Sequence, residues 1–320
     1  MLSLGELVNL TTVLVGLPQA GAAHIRAITL KPPPISIASE GRYEYRVYHT
    51  FILACVIDEP SIGCSPFAES ISYSLWTLQL SQAPRHLSGS ALSNAWWDPE
   101  GDFRPLHRFN PVRLEYIRGQ ICTHFDRDPL NLNILKGLSL LDIGCGGGLV
   151  AEPIARMGAR TSAIDASEKN IKVAHLHAQQ SGLDITYRVA TAEKLASEKA
   201  QFDVVLALEI IEHVADVDFF VSSCASLIKP GGLIIFATLN RTAKAFLLAI
   251  IGAEYILRWL PRGTHRWDRF VKPSELVQSL IRQNLRTSDL SGVTYNPLKD
   301  VWRLSKDLSV NYMVCAEKLK

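Results

Sequence analysis

The chain has 320 residues, 48% of them hydrophobic and 20% charged, which is enough to bury a substantial core in one or two domains. Its formal net charge of +2 argues against a partner bound by bulk electrostatics, such as nucleic acid. Six scattered cysteines without a C-x-x-C pair indicate a reducing compartment, and no apolar run is long enough to predict a membrane-spanning helix.

The first 94 residues differ in composition from the rest of the chain. Charged residues are sparse there, the segment Lys31-Pro32-Pro33-Pro34 interrupts the pattern, and no helical or strand period is sustained. The apolar stretch from Leu7 to Ala23 follows Glu6 rather than a basic segment, so neither a secretory signal nor a mitochondrial presequence is predicted. We therefore expect an atypical N-terminal extension over 1–94, to which the sequence assigns no role, and a folded domain over 95–320.

Strand and helix patterns alternate from Trp96 onward. Apolar residues at helical spacing between Pro105 and Phe125 predict a first helix. Strands are then predicted at 139–144, 160–165, 185–190, 203–208 and 232–239, and helices at 149–157, 167–181 and 216–228. This alternation predicts an α/β fold with a doubly wound, mostly parallel sheet of Rossmann-like type. Two later strand patterns, Val293–Asn296 and Val310–Ala316, predict a C-terminal antiparallel hairpin at the sheet edge.

A glycine-rich turn follows the first predicted strand. It runs from Asp142 to Gly148 with the pattern D-x-G-x-G-x-G, and the second strand ends about 20 residues later in Asp165. A dinucleotide-binding fingerprint requires glycine or alanine where this chain has Leu149. The pattern instead resembles the S-adenosylmethionine loop of class I methyltransferases, and the alternative is a plain glycine turn between strand and helix.

Ligands of such sheets bind outside the carboxyl ends of the strands, and several residues of this chain fall there. The candidate cofactor-binding residues at these ends are Asp142, Gly144, Gly146, Asp165, Ala192, Glu193 and Leu208. The glycines allow the methionine portion of the cofactor to lie against the backbone, and Asp165 is expected to accept hydrogen bonds from the ribose. Ala192 and Glu193 are expected to flank the adenine, with a solvated turn as the alternative.

A second group of polar side chains follows the predicted strand at 203–208. Glu209, Glu212 and His213 are spaced so that, on a helical turn, they share one face. Such a face either holds a divalent cation, magnesium if the ligands are oxygens, or takes a proton from a substrate. The alternative is the start of a capped helix, where carboxylates are favoured by the helix dipole.

An apolar segment at 245–261 follows the predicted strand that ends at Leu239, where a simple α/β fold needs only a short connection. It is too short to span a bilayer comfortably and contains Glu254 and Arg258, while Arg241, Lys244 and Arg262 lie close by. We expect a helical insert over about 242–262 that lies at a membrane interface or covers an apolar substrate. The alternative is a helix pair buried against the core of the protein.

Several longer motifs between residues 95 and 320 resemble those of the ubiquinone-biosynthesis O-methyltransferases, with the bacterial branch nearest and the mitochondrial enzymes next. They are the glycine-rich turn, Trp96-Trp97-Asp98-Pro99-Glu100-Gly101, 106–114, Glu209–Val214, Leu239-Asn240-Arg241-Thr242, 252–257, Pro261-Arg262-Gly263-Thr264-His265 and Tyr295-Asn296-Pro297. Nothing in 1–94 resembles the family.

The resemblance implies a Rossmann-like class I fold and methylation of polyprenylated phenols by S-adenosylmethionine. Two steps are implied, on an early polyprenyl-hydroxyphenol or catechol and on the late 3-demethylubiquinol. By matching motifs, Arg113, Gly144, Asp165 and Leu208 fall at the cofactor positions of the family. Glu209, Glu212 and His213 fall at positions associated with magnesium in its mitochondrial branch.

The expected reaction is attack of a phenolate oxygen on the sulfonium methyl. Either a metal held by Glu209, Glu212 and His213 lowers the pKa of the phenol, or His213, with Glu212 beside it, accepts the proton. The alternatives are a methyltransferase of another small aromatic acceptor, a non-catalytic cofactor-binding subunit of a biosynthetic complex, and a dehydrogenase, which Leu149 disfavours.

The expected location follows from the same features. A bacterial enzyme of this kind is expected in the cytoplasm, in peripheral contact with the inner membrane through 245–261 and in reach of a ubiquinone-biosynthesis complex. The alternative is the matrix face of the mitochondrial inner membrane.

Overall fold

A computed structural model describes residue 93, 95–256, 266–297 and 299–319 of the chain, with residues 252–256 as backbone only. The predicted extension over 1–94 lies outside this set apart from Ser93, and the end of the predicted insert, at 257–265, lies outside it too. The domain boundary near residue 94 therefore stays a prediction.

The described part of the chain alternates strands with helices in the predicted order. Its elements are α1 (Arg104–His124), β1 (Ser139–Ile143), α2 (Ala151–Arg156), β2 (Arg160–Asp165), α3 (Glu168–Gln180), β3 (Ile185–Val189), α4 (Ala192–Ser197), β4 (Phe202–Leu208), a 3₁₀ turn (Ile211–His213), α5 (Val217–Ser226), β5 (Ile228–Leu239), α6 (Ala243–Ala245), a π-helix (Phe246–Ile256), a 3₁₀ turn (Trp267–Arg269), α7 (Pro273–Arg282), β6 (Leu285–Asn296), β7 (Val301–Ser305) and β8 (Asn311–Lys318).

The strands form one eight-stranded sheet in the order β3-β2-β1-β4-β5-β8-β6-β7. β1 to β5 are parallel to one another, which confirms the doubly wound α/β prediction. The strand order reverses between β1 and β4, because β2 and β3 extend the sheet on one side of β1 and β5 extends it on the other. Ligands of open α/β sheets bind at such a reversal, outside the carboxyl ends of the strands.

The C-terminal part is antiparallel and has one more strand than the sequence predicts. The two predicted strands pair with each other, with Val293 opposite Asn311, and β8 also pairs with β5. The additional strand is β7, which occupies the sheet edge within the segment predicted as a long turn. It has only five residues, Val301 and Trp302 at its start are both apolar, and its edge position leaves most of it exposed, so its strand pattern is weak.

The core lies on both faces of the sheet, since the central strands are buried on both sides. Leu140 packs in one apolar cluster together with Ile117 of α1, whereas Leu141 and Ile143 pack in the other together with Phe220 of α5. Successive side chains of a strand point to opposite faces, so a continuous apolar run is what a doubly covered parallel strand requires.

The described part of the insert is helical and only partly buried. The Oγ1 of Thr242 accepts a hydrogen bond from Ala245 N at the start of α6, and Ala245 is fully buried. The next three residues are exposed apolar side chains: Phe246 (40%), Leu247 (55%) and Leu248 (53%). Across the described residues, no helix has the length and apolar character that crossing a membrane requires.

Replacing each of two glycines by alanine is expected to change the stability of the protein in opposite directions. A Cβ atom at Gly292 in β6 would overlap the backbone carbonyl of Asp307, whereas a Cβ at Gly119 in α1 would meet nothing within 4 Å. We expect Gly292→Ala to lower the free energy of unfolding by about 3 kcal/mol, because the backbone must shift. Gly119→Ala, the matched control, is expected to raise it by about 1 kcal/mol through helix propensity. Urea unfolding measures both, and equal stability of the two variants would contradict the packing at Gly292.

Candidate functional site

The glycine turn after β1 bends tightly beside the point where the strand order reverses. Gly144, Gly146 and Gly148 have φ angles of +74°, +54° and +89°, a backbone conformation that residues with a Cβ rarely adopt. The backbone N–H groups of Gly144 and Cys145 both donate to Ile164 O, at 2.8 and 3.0 Å. The turn is therefore tied to β2 through its backbone.

The turn is also too crowded for side chains larger than glycine. A Cβ atom at Gly144 would lie 2.7 Å from Cδ1 of Ile210, and one at Gly147 would lie 2.6 Å from Cε3 of Trp96. Ile210 follows β4 and Trp96 precedes α1, so the turn is enclosed by segments distant in sequence. The glycines predicted from the pattern are required here by both conformation and space.

Asp165, at the end of β2, braces the same turn. Its Oδ2 accepts a hydrogen bond from Gly146 N at 3.0 Å, and its Oδ1 accepts from Ser167 N at 2.8 Å and from Asn170 Nδ2 at 3.3 Å. Burial raises the pKa of Asp165, and these three hydrogen bonds act in the opposite direction. The carboxylate thus organises the turn as well as lying where a ribose was predicted, and the ribose contact stays a prediction.

Asp142 and Arg113 lie buried together at the base of the turn. Asp142 is in β1 and Arg113 is in α1, and their exposed fractions are 3% and 5%. Arg113 Nη2 donates to Asn110 Oδ1 at 3.2 Å, and its guanidinium lies 4.9 Å from the centre of the Phe109 ring. Among the described residues, Asp142 Oδ2 and Arg113 Nε have no hydrogen-bond partner. Buried polar atoms of this kind are costly unless a ligand or water satisfies them.

Charge interactions link this pair to the next strand. Burial lowers the pKa of Arg113, while the carboxylates of Glu209 and Asp142 act to raise it. Burial raises the pKa of Asp142 to about 7, against the opposing effect of Arg113 and with a further increase from Asp165. The residues that follow β1 and β4 therefore share one electrostatic environment.

The remaining predicted cofactor residues lie at neighbouring strand ends. Ala192 is fully buried and opens α4 directly after β3, with Glu193 half-buried beside it. Thr191 caps that helix, its Oγ1 accepting a hydrogen bond from Lys194 N at 3.3 Å. Leu208 is buried at the end of β4. These residues follow consecutive parallel strands and so lie along one edge of the sheet, as predicted, but their contacts with a cofactor stay predictions.

Glu209 does not belong to the helical face that its spacing predicts. Its φ is +53° and its N–H donates to Ala237 O at 2.8 Å, so it still pairs with β5 when the chain turns. Only Ile211–His213 forms a 3₁₀ turn, which carries Glu212 and His213. The prediction of one shared helical face is wrong at Glu209, because Glu209 itself has a left-handed backbone conformation and lies outside the turn.

Glu209 and Glu212 nevertheless interact. Glu212 is buried, and Thr238 of β5 donates from Oγ1 to its Oε2 at 2.8 Å. Burial and then the Glu209 carboxylate raise the pKa of Glu212 well above its usual range, and a hydrogen bond between the two carboxyls contributes. Burial of Glu212 beside a second carboxyl therefore favours its protonated form, and the Glu209 carboxylate acts on Arg113 as well. His213 is half-buried on the same turn.

A bound metal is not supported by the placement of these three side chains. Within 95–256, 266–297 and 299–319, no group of three or more His, Cys, Asp and Glu residues could hold a metal ion. The carboxyl pair offers oxygen ligands, which magnesium prefers, but His213 does not complete a three-residue set with it. The magnesium hypothesis stays a prediction, and no chemical step below depends on it.

A cavity of about 350 Å³ lies beside the 3₁₀ turn that carries His213. Apolar residues such as Ile211 and Phe270 line part of it, but His213 itself is not in the lining. Six charged residues of both signs line the rest: Asp218, Arg241, Asp268, Arg269, Glu275 and Arg282. Arg269 Nη1 donates to Val214 O at 3.0 Å, which fixes the chain that leaves the turn. This volume is within the range of small-molecule sites.

Comparison with known proteins gives the chain close relatives. It is 58% identical over 229 residues to the ubiquinone biosynthesis O-methyltransferase of Brucella anthropi, a match that spans 72% of this chain and 92% of that protein. The protein of the same description from a Chelativorans species is 57% identical over 229 residues, 72% of this chain and 90% of its own. A sequence model of the family described as methyltransferase domain matches residues 141–236.

Solved structures show the same fold at low sequence identity. A plantazolicin methyltransferase in complex with SAH is 17% identical, with a TM-score of 0.52 over 79% of this chain and 97% of that one. The magnesium protoporphyrin IX methyltransferase of Synechocystis PCC 6803, with bound SAH, is also 17% identical, with a TM-score of 0.51 over 79% and 98%. The Rossmann-like class I methyltransferase fold is thereby confirmed.

The buried carboxyl of Asp142 is expected to make the stability of the protein depend on pH. Because its pKa is raised to about 7, the native state binds more protons than the unfolded state between about pH 4 and 7, and the free energy of unfolding falls as pH rises. The difference in free energy of unfolding between Asp142→Asn and the unsubstituted chain is expected to shift in favour of Asp142→Asn by up to about 4 kcal/mol from pH 4 to pH 8. Urea unfolding across this range checks it, with Asp184→Asn, an exposed carboxylate, as control. If the free energies of unfolding of Asp142→Asn and of the unsubstituted chain change with pH in parallel, the prediction is contradicted.

Proposed function

Because the chain belongs to the family of ubiquinone biosynthesis O-methyltransferases, we propose that it transfers a methyl group from S-adenosylmethionine to phenolic hydroxyls of polyprenylated ubiquinone precursors. The identity of 57–58% over nine tenths of these relatives is the observation that carries the proposal. We further propose that both O-methylation steps are served, on a polyprenyl-hydroxyphenol or catechol and on 3-demethylubiquinol.

The buried pair at the base of the glycine turn supports the cofactor half of the proposal. S-adenosylmethionine carries an ammonium and a carboxylate on its amino-acid end. Asp142 and Arg113 have the complementary charges, and Asp142 Oδ2 and Arg113 Nε have no hydrogen-bond partner among the described residues. An ammonium near Asp142 would lower the pKa of that carboxyl, so binding and ionisation of Asp142 favour each other. Gly144 and Gly146 allow the left-handed backbone of the turn and the close packing of Ile210 and Trp96 against it, which shapes the backbone that we propose meets the cofactor.

Asp165, Ala192, Glu193 and Leu208 complete the proposed cofactor contacts. We assign the ribose to Asp165, whose Oδ2 accepts one hydrogen bond, from Gly146 N, and retains a lone pair for a second. The adenine is assigned to Ala192 and Glu193, and Leu208 supplies apolar contact from β4. When bound, the cofactor supplies a methyl group on a sulfonium leaving group, so the protein chiefly aligns the acceptor and removes its proton.

His213 is the proposed general base. A phenol with a pKa near 10 is only about one part in a thousand ionised at pH 7, a shortfall of about 4 kcal/mol, so removal of its proton has to be assisted. Of the two candidates, Glu212 is buried and its Oε2 accepts a hydrogen bond from Thr238, whereas His213 is half-buried on the turn beside the cavity. We propose that His213 takes the phenol proton and that Glu212, held by Thr238, positions the turn.

The insert supports an apolar acceptor. Phe246, Leu247, Leu248 and Trp267, here called the apolar patch, are between 40% and 55% exposed. Lys244 stands at its edge and pairs with Asp307 Oδ2 at 2.6 Å. Adjacent exposed apolar side chains with a basic residue beside them suit a membrane interface from which a polyprenylated substrate enters. We propose peripheral contact with the cytoplasmic face of the inner membrane, or with the matrix face in an organelle, within reach of a ubiquinone-biosynthesis complex.

A methyl-transfer assay tests the proposal. Purified protein with S-adenosylmethionine is expected to methylate short-chain 3-demethylubiquinol and a prenylated catechol faster than a soluble catechol without a tail, since the apolar patch favours the tail. EDTA-treated protein is expected to keep its rate, because no three-residue metal group is present in the described residues. Preference for the tailless acceptor would favour another aromatic substrate, and cofactor binding without transfer would favour a non-catalytic subunit. Loss of activity after EDTA treatment, with recovery when magnesium is added, would support the magnesium hypothesis instead.

Substitution of the base gives a second test. We expect His213→Ala to lower kcat by about 10² to 10⁴ with little change in the KM for S-adenosylmethionine, since it removes a proton acceptor and leaves the cofactor half intact. The rate of the variant is expected to rise with pH as the phenol ionises by itself. Steady-state kinetics from pH 6 to 10 checks both. A wild-type rate and pH profile in His213→Ala would exclude this role.

A further inference from the structure

The glycine turn is also held by residues other than those of β2. Trp97, His177 and Glu152 contact one another in series, and Trp97 contacts the turn. Trp97 Nε1 donates a hydrogen bond to Gly147 O at 3.0 Å. Trp96, its neighbour, lies against Gly146 and Gly147 and stacks on Phe103 with ring centres 3.9 Å apart. The turn thus has two attachments, the backbone and carboxylate of β2 on one side and the Trp97 indole on the other.

The Trp97 indole is itself held in place by α3. The His177 ring stacks on it with centroids 3.7 Å apart and planes within 5° of parallel. His177 Nδ1 donates to Glu152 Oε1 at 2.6 Å, and Glu152 is 1% exposed. Glu152 lies in α2, directly after the turn, and its own N–H donates to Gly148 O at 3.1 Å.

The contacts therefore run from Glu152 through His177 and Trp97 back to Gly147. Placing a carboxylate in the interior is costly unless it is hydrogen-bonded and paired, and here His177 and, at 3.6 Å, Arg156 compensate it. A stacked ring held by a buried carboxylate has little rotational freedom, so the indole N–H is aimed at one carbonyl oxygen.

We propose that His177 and Glu152 are positioning residues that fix the Trp97 indole, and through it the peptide between Gly147 and Gly148, in the conformation that binds S-adenosylmethionine. The inference rests on the proposed function, because it assigns the turn to that cofactor. The peptide is held by two hydrogen bonds, from Trp97 Nε1 to Gly147 O and from Gly148 N to Cys145 O at 2.9 Å. Glycine has no Cβ to restrict its dihedral angles, so this peptide rotates more readily when the bond from Trp97 is weakened. The expected effect is on affinity for the cofactor and not on chemistry at the acceptor.

The test measures the dissociation constant for SAH by calorimetry in three variants of the full chain. His177→Ala removes the stacked ring, and His177→Phe keeps a ring without the hydrogen bond. His175→Ala is the control, on an exposed position of the same helix. An aromatic stacking contact is worth about 0.5–1.5 kcal/mol, so we expect His177→Ala to bind SAH roughly three- to tenfold more weakly. His177→Phe should recover part of this loss, and His175→Ala should bind as the unsubstituted chain does.

Two further readouts separate positioning from general damage. The KM for S-adenosylmethionine should rise with the dissociation constant in His177→Ala while kcat at saturation stays within about twofold. Tryptophan fluorescence of the cofactor-free protein should change in His177→Ala and return toward the unsubstituted value in His177→Phe, because stacking alters the environment of Trp97.

The outcomes are distinguishable from failure of the proposed function. Unchanged SAH affinity in His177→Ala overturns the positioning role even if the protein is an active methyltransferase. If His177→Ala does not fold, the inference is judged on His177→Phe, which should fold and bind at intermediate affinity; SAH affinity in His177→Phe equal to that of the unsubstituted chain overturns it. If the unsubstituted chain binds no SAH, the proposed function fails and takes the inference with it, whatever the fluorescence shows.

Discussion

The burial of one positive charge organises this site. The Arg113 guanidinium enters the protein from α1, where it contacts Phe109 and Asn110, and it is balanced by Asp142 of β1 and Glu209 after β4. Burying an arginine is costly unless carboxylates lie close to it, and of the two that act on Arg113 the effect of Glu209 is the larger. The packing of α1 against the sheet is therefore linked electrostatically to residues from two strands. Those strands are the two between which the strand order reverses, and the charges therefore meet where this fold binds its ligands.

The two halves of the site use different parts of the chain. On the proposed cofactor side the lack of Cβ atoms lets the glycine turn adopt its tight conformation, and side chains such as Asp165 and Trp97 hold its backbone. On the proposed acceptor side the candidate reactive groups are side chains on a short turn after β4, and Thr238 of β5 holds that turn. This division fits a family in which the methyl donor is constant and the acceptor is large and apolar.

Most of the parallel sheet could be predicted, because buried strands such as β1 and β4 are short and largely apolar runs. The cofactor turn was equally predictable, since glycine is required by its backbone conformation. Glu209 was not, because spacing alone does not reveal a left-handed residue. The contacts of Glu212 with Thr238 and of Trp97 with Gly147 join residues far apart in sequence, and only the fold brings them together. Those long-range contacts decide which candidate residues are buried, protonated or accessible.

The position of β8 has a consequence for how the protein is made. β8 is the last strand along the chain, yet it lies between β5 and β6 and pairs with both. Until residues 311–318 have left the ribosome, β5 and β6 have no strand between them, and each presents an open edge on which another chain can pair. Synthesis that stops before Asn311 would therefore yield not a smaller enzyme but an aggregation-prone sheet, and chaperone contact is most needed during the last moments of translation.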